Sequence, residues 1–174
     1  MADRNVHYEA AFEDYLRRRG TSCVCVDEAK RAVFSSANIK SFDFIVHSSK
    51  GPNLLVDVKG RKFPDLSKHS AGRKGGRAWE NWVTREDVDS LGKWQTVFGA
   101  DFVATLVFAY WLQGPPHKTP FTDVHLFRDK HYAFVAISLS EYILAAHPRS
   151  ARWQTITING QQFADCVRDI SAFL

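Results

Sequence analysis

At 174 residues, with 45% hydrophobic and 24% charged positions, the chain is long enough for one full core and has an ordinary soluble globular composition. Its net charge of +4 and pI near 9.0 mildly favour an anionic partner. No stretch approaches the roughly 20 apolar residues of a membrane span. The three cysteines cannot all pair, and the opening MADRNVHYEAAFEDYL is charged and helical rather than signal-like, so a reduced, cytoplasmic setting is the default expectation.

Asp3 to Arg19 has helical spacing, with Tyr8, Ala11, Phe12, Tyr15 and Leu16 on one stripe and Gly20 as the stop. Ser22 to Asp27 reads as a short strand, and residues 28–40 read as a connection. Residues 41–48 and 53–60 are both strand-like, and Ser49-Lys50-Gly51-Pro52 between them is a turn signal, so they should form a hairpin. From Gly60 to Trp82 periodicity disappears and glycine and basic residues dominate.

Thr84 can cap a second helix and Asp87 can complete a capping box. Val88, Leu91, Trp94 and Phe98 supply its apolar stripe, and Gly99 ends it. Residues 102–112 are almost wholly apolar and rich in β-branched and aromatic types, as in a central strand covered on both faces. A loop follows, then a strand at 132–138, a short helix at 139–147, an edge strand at 153–158 and a closing helix at 161–174. Strand, helix and strand over 53–112 make a right-handed β–α–β crossover. The expectation is one α/β domain over 1–174, a mixed sheet flanked by helices.

The strand Leu54–Lys59 raises the chemical question. Side chains alternate along a strand, so Leu55, Asp57 and Lys59 share one face and Leu54, Val56 and Val58 the other. Asp43 lies between Phe42 and Phe44 in the preceding strand. A hairpin register that sets Asp43 near Asp57 would bring two carboxylates together with Lys59 beside them. Bare carboxylates that close repel unless a cation sits between them. Magnesium takes one or two carboxylates, keeps several waters and accepts phosphate oxygens. An ordinary salt bridge from Lys59 to either acid is the simpler alternative, since Asp-x-Lys on a strand is common.

The pattern Asp43 … Asp57-Val58-Lys59, on a hairpin after a helix carrying Glu9 and Glu13, resembles the PD-(D/E)XK, or restriction-endonuclease-like, nuclease superfamily. The element order is similar to that superfamily's αβββαβ core over roughly residues 5–112, with 113–174 as additions. Phe12-Glu13-Asp14 followed by Leu16-Arg17-Arg18-Arg19-Gly20 is similar to Mrr-like and Holliday-junction-resolvase-like members. Phe42 stands where the superfamily's name has proline.

The resemblance implies a metal-dependent endonuclease acting on DNA, with Mg2+ as cofactor and Mn2+ as a substitute. Asp43 and Asp57 would ligate the metal, the Val58 carbonyl could add a ligand, and Lys59 would orient or activate the attacking water. A helix glutamate would complete the metal shell. Glu13 fits the motif better, and Glu9 is the second choice. Gln95 could lie near the metal or be a boundary polar residue.

Arg61, Lys62, Lys68, Arg73, Lys74 and Arg77 stand against the single acid Asp65, and by location could neutralise phosphates. Trp79 and Trp82 read as packing residues, and Cys23 and Cys25 as small apolar ones. Resolvase-like members suggest a homodimer, which nothing in the sequence decides. The alternatives are a catalytically inactive nucleic-acid-binding protein of the same fold and a basic α/β interaction module.

Overall fold

The two longest strands, Asn53–Phe63 and Phe102–Leu112, run parallel and pair from end to end. Everything else is arranged around them. The computed structural model describes residues 6–26, 33–34, 37–68 and 78–174. In chain order the elements are α1 (Val6–Arg18), β1 (Cys23–Cys25), β2 (Val33–Phe34), β3 (Ala37–Asn38), β4 (Phe44–Val46), β5 (Asn53–Phe63), β6 (Val83–Thr84) and α2 (Arg85–Phe98). Then come β7 (Phe102–Leu112), β8 (Val124–Phe127), β9 (Lys130–Ser138), α3 (Leu139–Ala145), β10 (His147–Ser150), β11 (Thr155–Thr157), α4 (Gly160–Cys166) and β12 (Arg168–Asp169).

The main sheet has the order β1-β4-β5-β7-β9-β12, with β8 also on β9. β4 and β5 form the expected antiparallel hairpin, and β5, α2 and β7 form the expected crossover. Helix α1 covers one face through Ala11, Phe12, Tyr15 and Leu16, packed on Phe44, Val56, Val107 and Phe134. Helices α2, α3 and α4 cover the other through Val88, Leu91, Leu139, Tyr142 and Phe163, packed on Leu55, Leu106 and Phe108. Both faces of β7 are therefore buried, which is why its sequence is a continuous apolar run rather than an alternation. Thr84 and Asp87 make the reciprocal capping box that starts α2, and Gly99 takes φ +81° at its end.

Several elements differ from expectation. Strand β8 forms a tight hairpin with β9 through Arg128 and Asp129, both at positive φ. Such a turn usually announces itself with Asn or Gly, so Arg-Asp hides it. Strand β11 is central, between β10 and β6 in a small second sheet, rather than an edge. The closing helix stops at Cys166, because Arg168 and Asp169 pair with Ala136 and Val135 of β9 and Ile170 and Leu174 bury themselves under α1. The additions after residue 112 continue the same sheet: β9 pairs with β7 over seven positions, from Thr105 to Trp111. Among the described residues no helix is long and apolar enough to cross a membrane.

Candidate active site

Strand β4 stops pairing with β5 where the candidate acids begin. The last pair is Phe44 with Val56, and one step further Asp43 falls opposite Asp57. β5 continues to Phe63, paired there among the described residues with β7 alone. The backbone N–H of Val58 would be left open by this splay, and the Asp43 carboxylate takes its place as acceptor, Val58 N to Oδ2 2.6 Å. Asp43 is itself fixed at both backbone groups, its N–H donating to Val56 O at 2.9 Å and its C=O accepting from Val26 N at 2.8 Å.

Asp57 and Lys59 lie on the α2 side of β5, as alternation requires. The Lys59 ammonium donates to Asp57 Oδ2 at 2.9 Å and to Asp87 Oδ2 at 3.1 Å. Asp87 also receives the Lys40 ammonium and the Thr84 backbone N–H, the latter at 3.2 Å. One carboxylate thus starts α2, holds Lys59 and anchors Lys40. Lys40 is held in turn by its carbonyl, which accepts from Trp94 Nε1 at 3.0 Å, and by its N–H, which reaches Ser90 Oγ at 3.3 Å.

The electrostatics follow from burial and from the crowding of like charge. Burial, then the charge of Asp57, push the Asp43 carboxyl up to about 8, against the pull of the Val58 N–H and of Lys59. Burial also raises Asp57, although Lys59 opposes it. Burial would lower Lys59, but Asp57 and Asp87 outweigh it, so its pKa is raised and it stays an ammonium. Asp87 shows the reverse balance: burial would raise it, but Lys59 and Lys40 hold it at about 2. A permanently charged ion-paired group, Asp87, therefore lies beside a pair of acids that cannot comfortably both ionise.

The helix acids separate. Glu9 is close enough for its charge to raise Asp43. Glu13 accepts from Arg17 at 2.5 Å and from the Cys25 thiol, away from the two aspartates. Tyr8, the neighbour of Glu9, packs against Gly60 of β5: a Cβ at Gly60 would stand 2.1 Å from the Tyr8 ring. Gly60→Ala is therefore expected to push α1 off the strand, costing about 1–3 kcal/mol and moving Glu9 without changing any charge. Thermal melting would read the loss. An unchanged melting temperature would mean the ring has room to swing away.

Gln95 is held elsewhere. Its amide donates to Gly99 O at 3.1 Å and Phe102 O at 2.6 Å and accepts from Ala104 N at 2.5 Å, tying the end of α2 to the start of β7. Arg61 lies two residues beyond Lys59 on the same face, with its guanidinium on Gly60 O and Trp82 O and 4.2 Å from the Trp82 ring centroid. Lys62 is on the α1 side, 5.2 Å from the Trp111 centroid. Lys68 is exposed and pairs with Asp65 at 3.6 Å. Arg73, Lys74 and Arg77 lie outside the described residues. Trp79 packs on Phe63, Tyr110, Phe121 and Phe163.

Asp43 and Asp57 offer hard oxygen donors that repel each other, which suits a divalent cation. Among the described residues no group of three His, Cys, Asp or Glu side chains is gathered tightly enough to hold a metal alone. A magnesium ion would fit the pair nonetheless, since it needs only one or two carboxylates and fills its remaining positions with water and substrate oxygens.

No family model matches the chain, and no curated protein does either. Among solved structures it is similar to the Holliday junction resolvase Hjc of Archaeoglobus fulgidus, an archaeal hyperthermophile, at a TM-score of 0.52 and 14% identity, over 96% of this chain and 97% of that one. The fold is restriction-endonuclease-like. At that identity the likeness speaks to the fold alone, and it runs beyond residue 112 to include the C-terminal third.

Asp87 and Lys40 were not among the site candidates read from the sequence. A signal for Asp87 existed. In a β–α–β crossover the helix starts from the end of the first strand, so an acid in the first turn of α2 comes near the residues at that end of β5. The capping role alone concealed the second one. Lys40 gives no such signal, because its placement depends on contacts with α2 far along the chain.

Proposed function

We propose that the chain is a metal-dependent nuclease that hydrolyses phosphodiester bonds in DNA. The observation that carries this reading is the meeting of Asp43, Asp57 and an ammonium, Lys59, at the splayed edge of β5. The likeness to a junction resolvase supports it. Asp43 and Asp57 would hold the ion, magnesium or manganese in its place, with the Val58 carbonyl as a further candidate ligand and Glu9, rather than Glu13, as the nearer helix acid.

A bound divalent cation would supply a water of lowered pKa and offset the charge that builds on the phosphoryl oxygens. Lys59 would act beside it. Its ammonium hydrogen-bonds the attacking water or a non-bridging phosphate oxygen, and its third proton is available for this while Asp57 and Asp87 take two. Asp87 keeps the ammonium in place when Asp57 turns to the ion. Arg73, Lys74 and Arg77 would contact phosphates along the strand, and a homodimer would suit a branched substrate.

Incubation of the purified protein with linear duplex, branched and single-stranded DNA tests this. Products are expected in magnesium or manganese and none in chelator. A protein that binds these substrates and cleaves none of them would be a binding protein of the same fold, in which Lys59–Asp57 is only an ion pair.

A further inference from the structure

Between Glu141 and Asp165 the chain carries no acid. In that stretch His147, Arg149 and Arg152 are exposed, and so is Trp153. With 66% of its surface open, Trp153 is the only aromatic residue among the large exposed hydrophobics of the described residues. A single exposed tryptophan is ordinary on a protein surface. This one differs in its neighbours and its position.

The guanidinium of Arg152 lies 5.1 Å from the Trp153 ring centroid. The turn that presents the pair is built. Trp153 N donates to Ser150 Oγ at 3.3 Å, Gln154 N to Ala151 O at 3.3 Å, and Gln154 sits at φ 49°.

Two chains of contact, both through residues 82–85, bring this turn to the candidate active site. Along the first, Arg85 N donates to Gln154 O at 2.8 Å and Thr155 pairs with Thr84. Thr84 N–H then binds Asp87, which holds Lys59. Along the second, Arg149 lies 5.4 Å from the centroid of Trp82, the ring that also carries Arg61 at 4.2 Å. Arg61 follows Lys59 on the same face of β5. The small sheet β10-β11-β6 therefore has a use: it joins a basic and aromatic turn that carries no acid of its own to the strand before α2, where Glu80 accepts from Trp82 and Asp87 holds Lys59.

We propose that the β10–β11 turn is a docking ridge for nucleic acid with unpaired nucleotides, taking a base on Trp153 and flanking phosphates on Arg149 and Arg152. This deepens the nuclease reading and rests on it for where the bound strand leads, toward Lys59. The binding itself does not. A polyanion suits the ridge because its cations have no acidic neighbours within the segment, and an exposed indole offers a face on which any unpaired base can stack. The paired bases of a duplex do not present that face. A second copy of the chain would bring the same arginines against these.

The test is fluorescence polarisation with labelled single-stranded, forked and blunt duplex DNA, in chelator so that nothing is cut. Trp153→Ala should weaken binding of the single-stranded and forked probes roughly tenfold and leave blunt duplex within about twofold, while Trp153→Phe should restore most of the loss. The melting temperature of Trp153→Ala should match wild type because the indole is exposed. Arg149→Ala with Arg152→Ala should weaken all three probes and lower the log–log salt slope by roughly one unit per arginine.

Unchanged binding of the single-stranded and forked probes by Trp153→Ala, an equal loss on blunt duplex, or a wild-type protein that binds none of the probes overturns the ridge. So does a Trp153→Ala variant whose only change is from dimer to monomer. Wild-type cleavage in magnesium, read in parallel, separates the two readings. Cleavage with Trp153-independent binding sinks the ridge alone, and Trp153-dependent binding without cleavage sinks the nuclease alone.

Discussion

Asp57→Ala is expected to abolish DNA cleavage, a loss of at least roughly 10³-fold if the ion supplies several kcal/mol of transition-state stabilisation. The fold should survive. Asp57 is buried against another acid, so removing it relieves repulsion with Asp43 and leaves Lys59 still bonded to Asp87. Lys59→Ala should also lose cleavage, for a different reason. An ammonium is not a metal ligand, so that variant should still bind magnesium or manganese. In chelator it should melt lower than wild type, because Asp43 and Asp57 lose the ammonium that opposes their repulsion, and Lys40 is held by Asp87. Added metal should recover part of the loss. Calorimetric titration with manganese separates the two variants: binding lost in Asp57→Ala and kept in Lys59→Ala. Two variants with equal metal affinity would sink this division of roles. An Lys59→Ala chain that stays unfolded even with metal would make the Lys59–Asp57 pair structural.

The parts of this molecule visible in the sequence are those set by short-range rules. The Tyr8–Leu16 stripe, the capping box at Thr84 and Asp87, the turn before Pro52 and the apolar run of β7 each depend on neighbours within a few residues, and each is where the pattern puts it. The juxtaposition of Asp43, Asp57 and Lys59 follows from alternation plus one hairpin, so it too was within reach. What failed depended on distant pairing. α4 ends early because β9 offers an edge to Arg168 and Asp169, and no local pattern records that. β11 gains two partners from segments well separated in sequence, β6 and β10. Glu9 and Glu13 occupy similar places in the helix pattern. The choice between them turns on the Glu9 charge acting on Asp43 and on Arg17 and Cys25 drawing Glu13 away, neither of which periodicity encodes.

The metal-free protein is expected to lose stability as pH rises from about 6.5 to about 8, the reverse of what a surface carboxylate would give. Burial and Asp57 hold Asp43 at about 8 in the folded chain, against 3.8 when unfolded. Between those values the native state binds a proton that the unfolded state has released, so stability falls with rising pH and levels off above the folded value. The slope from this group is about 1.4 kcal/mol per pH unit, or a drop of roughly 4–8 °C in melting temperature over the window for a chain of this size. Asp57 is raised too and acts in the same direction. Asp87, held at about 2, stabilises the fold above 3.8 and loses that effect only below it, outside the window. His7 is lowered, chiefly by burial, so its stabilising effect is lost only as pH falls below 6.5, which sets the lower limit of the comparison. Asp43→Asn should flatten the profile, since the amide needs no proton to sit beside Asp57. Magnesium should flatten it as well by replacing the proton at high pH with a cation, and the stabilisation should therefore grow from pH 6.5 to 8. Scanning calorimetry across that range, with and without the ion, reads both effects. A wild-type profile that is level or rises toward pH 8 would mean the two aspartates ionise together without a cation, and the case for an ion between them would fall with it.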